Sequence, residues 1–139
     1  MAEKLCELRK KGGGGGKYTE TVLWTNPSPN STMARTTVTL SDDWSNYDYL
    51  KIPVKLLAAD ANEAKAYVII DTATYDSAAD VTLNPAITCN VSNVTYCRRF
   101  ARVNDTYNQI LIFECNRLGN SGTTNGGAIP LQIIGVKKA

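Results

Sequence analysis

The chain has 139 residues, 43% of them hydrophobic and 20% charged, with a net charge of +2, four cysteines and no histidine. That length fits one domain large enough to bury a core without staples; the absence of histidine excludes imidazole acid–base chemistry and, together with the lack of any C-x-x-C pair, argues against a zinc site. The apolar runs Tyr67–Ile70 and Ile110–Phe113 fall far short of the ~20 residues of a membrane-spanning helix, so no membrane partner is expected.

The first eleven residues, Met1–Lys11, are a charged peptide with Leu5 and Leu8 at i, i+3 and Cys6 beside them. One or two helical turns would gather these side chains into a small apolar face. A peptide this short is marginal as an isolated helix, so its order would come from a partner surface. Gly12, Gly13, Gly14, Gly15 and Gly16 follow as a hinge. A phosphate-binding loop would need glycine where Lys11 stands and Ser or Thr where Tyr18 stands, so that reading fails. The peptide carries no apolar stretch of the kind a secretory leader needs. The expected organisation is an anchoring peptide and hinge over 1–16 and a β domain over 17–139. Residues 1–17 carry a net +3 and the remainder −1. A nearly neutral domain offers no electrostatic footprint for nucleic acid.

From Tyr18 onward the text is strands and polar turns. Tyr18–Trp24 alternates, and Thr25-Asn26-Pro27-Ser28-Pro29-Asn30 is a strong turn. Arg35–Leu40 alternates again, with Thr36, Val38 and Leu40 on one face. Ser41–Asn46 reads as a polar turn bearing one aromatic, Trp44. Tyr47–Leu57 is a long strand whose core face is Leu50, Ile52, Val54 and Leu56. Pro53 cannot donate to a ladder, so this strand is expected at an edge or bulged there. Ala66–Asp71, an apolar run between loops, reads as a central strand, followed by a loop over 72–80.

Val81–Leu83 and Ala86–Cys89 read as short strands, and Asn93–Val103 as a longer one. Its arginines Arg98, Arg99 and Arg102 form a basic cluster. An exposed strand face paired with acidic neighbours is the first reading of that cluster, and anion binding is the second. Asn104–Asn108 is a hairpin turn into the strand Gln109–Cys115. Arg117–Ala128 is a Gly-rich loop, either a binding loop or a variable tip. Ile129–Val136 is the last strand. Seven to nine strands and no periodic repeat predict an all-β antiparallel β-sandwich, the jelly roll being one form it takes.

No catalytic motif is present. The cysteines lack a histidine partner, and Cys6, Cys89, Cys97 and Cys115 contain no C-x-x-C pair. A Cys89–Cys97 bridge would require neighbouring strands. Four Asn-x-Ser/Thr triplets, at Asn30, Asn90, Asn93 and Asn104, read as turn and strand chemistry. Asp42-Asp43 lacks the spaced oxygens of a calcium loop. Among carboxylates, Glu114 alternates with Phe113 and Cys115 and reads as a strand-face acid paired with an arginine. The expectation is a protein that is not an enzyme and carries no cofactor or metal.

The stretches Tyr18–Asn30, Thr37–Ser41, Tyr47–Ile52 and Ala128–Lys137 resemble a tail-fibre or virion accessory β domain of phages and prophages of gut Gram-positive bacteria. The likeness covers roughly 18–137 and is strongest at its two ends. It implies a virion component without enzyme activity, made in the bacterial cytoplasm and located on the particle, and it carries over no site residue. The tag-and-hinge layout, without shaft repeats or heptads, then favours a capsid decoration or head fibre docked through Leu5, Cys6, Leu8 and the five glycines. The alternatives are a tail-tip or receptor-binding adaptor and a free carbohydrate-binding module. Expected partners are other virion proteins, further copies of the chain (a trimer being one arrangement) and a host surface glycan. Trp44, Tyr47 and Tyr49 are the expected glycan or subunit contacts, with Trp24 as a further stacking face.

Overall fold

The computed structural model describes residues 17–73, 84–103, 105–119 and 122–139. The anchoring peptide, the hinge, the strand expected at Val81–Leu83 and most of the 72–80 loop lie outside those residues. In chain order the strands are β1 (Tyr18–Thr25), β2 (Thr36–Thr39), β3 (Tyr49–Leu57), β4 (Ala66–Asp71), β5 (Ala86–Val91), β6 (Val94–Arg102), β7 (Gln109–Ile112), β8 (Asn116–Arg117), β9 (Gly122–Thr123), β10 (Gly127–Pro130) and β11 (Gln132–Lys138). They form two antiparallel sheets, an all-β sandwich. One holds β1, β11, β3, β10 and β4; the other holds β2, β7, β6, β8, β9 and β5.

Each sheet face is made by period-two alternation. Leu50, Ile52 and Val54 of β3 face inward, as do Val68 and Ile70 of β4, Phe100 of β6, and Ile110 and Ile112 of β7, all nearly or wholly removed from solvent. Leu23, Val38, Leu40, Trp44, Cys89, Cys115, Ala128 and Ile133 belong to the same cluster. Burial of this kind is worth about 1.5–3 kcal/mol for each large apolar side chain.

Pro53 sits where the sheet can lose a donor. Its strand is not an edge: β3 pairs with β4 on one side and with β10 and β11 on the other. The irregularity lies in the partner instead. Pairing runs Pro130 to Val54 and then Ile134 to Lys51, so the partner holds one extra residue there. Leu131, between its two segments, donates to the Pro53 carbonyl at 2.8 Å. A bulge next to the proline removes the demand for its missing N–H. The same device splits β7 from β8 along β6, where pairing shifts from Phe100–Ile112 to Cys97–Asn116.

Three expectations are corrected. β4 is not central: among the described residues its only ladder is with β3, and Tyr67 is 49% exposed. A short apolar run between loops does not reveal how many neighbours a strand will have. Trp44 is not an exposed turn aromatic. It opens a 3-10 turn at Trp44–Asn46 and is fully buried, because its backbone N–H reaches the Tyr107 carbonyl and draws the indole under that loop. Arg98 does not lie on an exposed face. It shares the inward parity of Phe100 and is fully buried.

Strands β5 and β6 are neighbours joined by a two-residue turn, Ser92-Asn93, both with left-handed backbone (φ 51° and 68°), the conformation tight hairpins require. Register nevertheless separates the two cysteines. Thr88 pairs with Cys97 and Cys89 with Tyr96, so the thiols point to opposite faces and both are free.

Candidate functional site

Two buried cations hold the loops that shape the surface. Arg98 donates through Nε to the Ala128 carbonyl at 2.7 Å and through Nη1 to Met33 and Phe113 at 3.0 and 2.7 Å. Its Nη2 reaches Gly127 at 2.9 Å and Asn125 at 3.4 Å. A guanidinium offers five N–H donors in a rigid fork, and here they meet five carbonyls drawn from three separate segments of the chain, around Met33, Phe113 and Asn125–Ala128. Burial pulls its pKa below the ordinary value, and the carbonyl dipoles stand in for a countercharge. The Gly-rich stretch before Ala128 is therefore nailed down at its C-terminal end, rather than being a free tip throughout.

Lys55 is the second cation, on the opposite face of β3 from Ile52 and Val54. It is fully buried, and its three ammonium donors are all used, to the carbonyls of Ala58 and Asp60 at 2.9 Å each and to Asn62 Oδ1 at 2.7 Å. Asn62 in turn donates to Asn30 Oδ1 at 3.2 Å, and Asn30 donates to the Ala58 and Asp60 carbonyls at 3.3 Å. The turn at 26–30 and the loop at 58–62 are thus stitched to one another above a lysine. The signal was in the sequence as alternation: Lys51, Pro53 and Lys55 share a face.

These stitched loops wall an open groove of about 450 Å³ on the outer face of the first sheet. Pro53 and Leu131 lie along its length, with Tyr67, Lys51, Asn62 and Gln132 around them. Lys51 pairs with Glu20 and stands 5.6 Å from the centre of the Tyr67 ring. An exposed aromatic ring, an amide and an ammonium on a rigid strand bed suit a polar ligand with an apolar face, as a sugar has. A second groove of about 420 Å³ runs along β2, lined by Trp24, Met33, Thr36, Thr37 and Thr39 among others.

The residues expected from sequence as contacts divide. Trp44 packs inside against Tyr107, ring centres 5.2 Å apart, so it presents no stacking face. Tyr47 is half-buried, lies against Gly135 and donates its hydroxyl to Asp42 Oδ2 at 2.9 Å. Tyr49 stands 6.4 Å from Tyr18, near the end of the sheet where Ala139 donates to the Lys17 carbonyl. Trp24 keeps partial exposure and lines the second groove. Leu5, Cys6, Leu8 and Gly12–Gly16 lie outside the described residues. Tyr67 was missed, because a strand assumed central would hide it.

Glu114 is paired with Arg35, at 3.1 and 3.3 Å. A backbone hydrogen bond and then Arg35 hold its carboxyl below the usual range, away from what a general acid needs. Among the described residues no group of three or more Cys, Asp or Glu converges as a metal site.

No family model and no curated protein matches this chain. Its functional reading rests on the sequence resemblance and on these grooves.

Proposed function

We propose that the chain is a bacteriophage virion accessory protein, a capsid decoration or head-fibre component, docked by residues 1–16 and displaying its β-sandwich outward. The observation that supports this most is where the tether leaves the domain. Lys17 enters β1 beside the C-terminus, while the groove is lined by Thr25 and Asn26 at the other end of that strand. The eight residues of this strand put its ends about 23 Å apart, so the groove, which reaches back only as far as Lys51 and Ile134 opposite Val22, stays open when a particle holds the N-terminal peptide. The resemblance over Tyr18–Asn30 and Ala128–Lys137 supports the same reading. In it, the groove containing Tyr67, Lys51 and Gln132 contacts the host surface, and Tyr18 with Tyr49 lies at the docking end.

Deleting residues 1–16 tests the anchoring. The truncated chain is expected to keep the circular dichroism of a β-sandwich and to be missing from purified particles. Truncated protein incorporated at the normal copy number would overturn the proposal. Counting copies per particle by mass spectrometry separates a capsid site, with hundreds, from a tail-tip site, with a few.

A further inference from the structure

The three arginines of β6 have different fates. Arg98 is buried, Arg102 lies 5.8 Å from the ring centres of Trp44 and Tyr107, and Arg99 points to the outer face of the second sheet. There its guanidinium carbon sits 4.2 Å from the centre of the Phe113 ring. Arg35 approaches the same ring at 4.8 Å. The two cations are not equivalent. Arg35 is held by Glu114 through Nε and Nη2, whereas the half-buried Arg99 gives its carbonyl to the Phe113 N–H and its guanidinium makes no hydrogen bond or ion pair to a described residue besides its place on the ring.

We propose that Arg99, laid on Phe113 beside the Arg35–Glu114 pair, is an oxyanion site that takes one phosphate or carboxylate group of a ligand. Stacking restrains the guanidinium and leaves its in-plane donors free at the rim, the fork that matches two oxygens of such a group. Glu114 answers one of the two arginines, so the cluster keeps one uncompensated positive charge. Nη1 of Arg35, outside the two bonds to Glu114, supplies a second donor on the same patch. Glu114 feels both arginine charges but bonds only Arg35; a half-desolvated cation with so partial a counterion is unfavourable, and an arriving anion relieves it. Phosphate and carboxylate groups are both carried by bacterial surface polymers, and a single oxyanion is the chemistry they share. The site stands on geometry alone and holds whether or not the chain belongs to a particle.

The experiment titrates the full chain by calorimetry at low salt with inorganic phosphate, a glycerol-phosphate polymer, polygalacturonate and neutral dextran. Binding to the phosphate or the galacturonate arm, but not to dextran, is expected, and the arm that responds identifies the group. Binding should weaken as salt is raised. R99Q is expected to lower affinity by about tenfold or more, the usual loss for a charge-assisted hydrogen bond. R99K keeps the charge without the fork and is expected to fall between the two. Should R99Q lose its folded dichroism, R99K and F113L decide instead. Wild-type protein that binds no anionic probe above dextran, or folded variants that bind as wild type does, would overturn the site. Particle incorporation is a separate readout, so either proposal can fail without the other.

Discussion

Arg98 Nε donates to the carbonyl of Ala128 at 2.7 Å, joining the middle of β6 to a residue held in left-handed backbone (φ 48°). The other four carbonyls around this guanidinium belong to Met33, Phe113, Asn125 and Gly127. Replacing Arg98 with Met would take a donor from each of these oxygens, though the Asn125 carbonyl keeps the Met33 N–H, a loss of roughly 3–5 kcal/mol. Urea denaturation should show it as a fall in midpoint. R98K should recover less than half of the loss, since three donors cannot reach five acceptors. A midpoint unchanged in R98M would mean that the loops hold themselves.

Gly135 and Tyr47 make a second tight contact. A methyl group at position 135 would fall 2.6 Å from the tyrosine ring, closer than carbon atoms approach. Gly135→Ala is therefore expected to destabilise the fold by about 1–3 kcal/mol through overpacking. Combining it with Tyr47→Leu should shrink the effect, because the ring is what the methyl meets. Equal losses from G135A in both backgrounds would place the strain elsewhere.

Tyr47 also sets the titration of Asp42. Its hydroxyl is the largest influence holding the Asp42 carboxyl below the ordinary value of 3.8, followed by the Asp43 backbone N–H. A depressed carboxylate contributes stability above its ordinary value and loses it as pH falls through the lower folded value. Tyr47→Phe should therefore move the Asp42 titration upward toward 3.8, measured by NMR of the side-chain carbonyl carbon. No movement would show that the Asp43 N–H, the Asn46 amide and the Lys137 charge hold the carboxylate down without the tyrosine.

Burial raises the thiol pKa of both Cys89 and Cys115. The thiolate is the reactive form, so both should resist iodoacetamide in the native protein at pH 8. Cys97, on the other face of β6 and only half-buried, should be alkylated first among the three. Peptide mass mapping at short times checks the order, with denatured protein as the reference for full labelling. Equal native rates at Cys89 and Cys97 would contradict the register described for β5 and β6.

Much of the sandwich was legible because strand alternation is local. Leu50, Ile52 and Val54 announce their face within five residues, and the turns at 26–30 and 104–108 announce themselves by composition. The pairing of Glu114 with an arginine was likewise readable in kind, though not the choice of Arg35, which lies far away in sequence. What alternation cannot report is what a face will meet. Lys55 alternates out of the core and yet is buried, because a loop folds over it.

Side-chain period and turn chemistry act over a few residues, so the order of amino acids was enough to specify alternating strands divided by polar turns. Only the tertiary structure decided the number of neighbours of β4, the bulge that accommodates Pro53, the burial of Trp44 and the separate fates of Arg98 and Arg99. Each of those depends on backbone carbonyls, rings or extra residues delivered by distant segments. A residue's own neighbours in sequence carry no information about them.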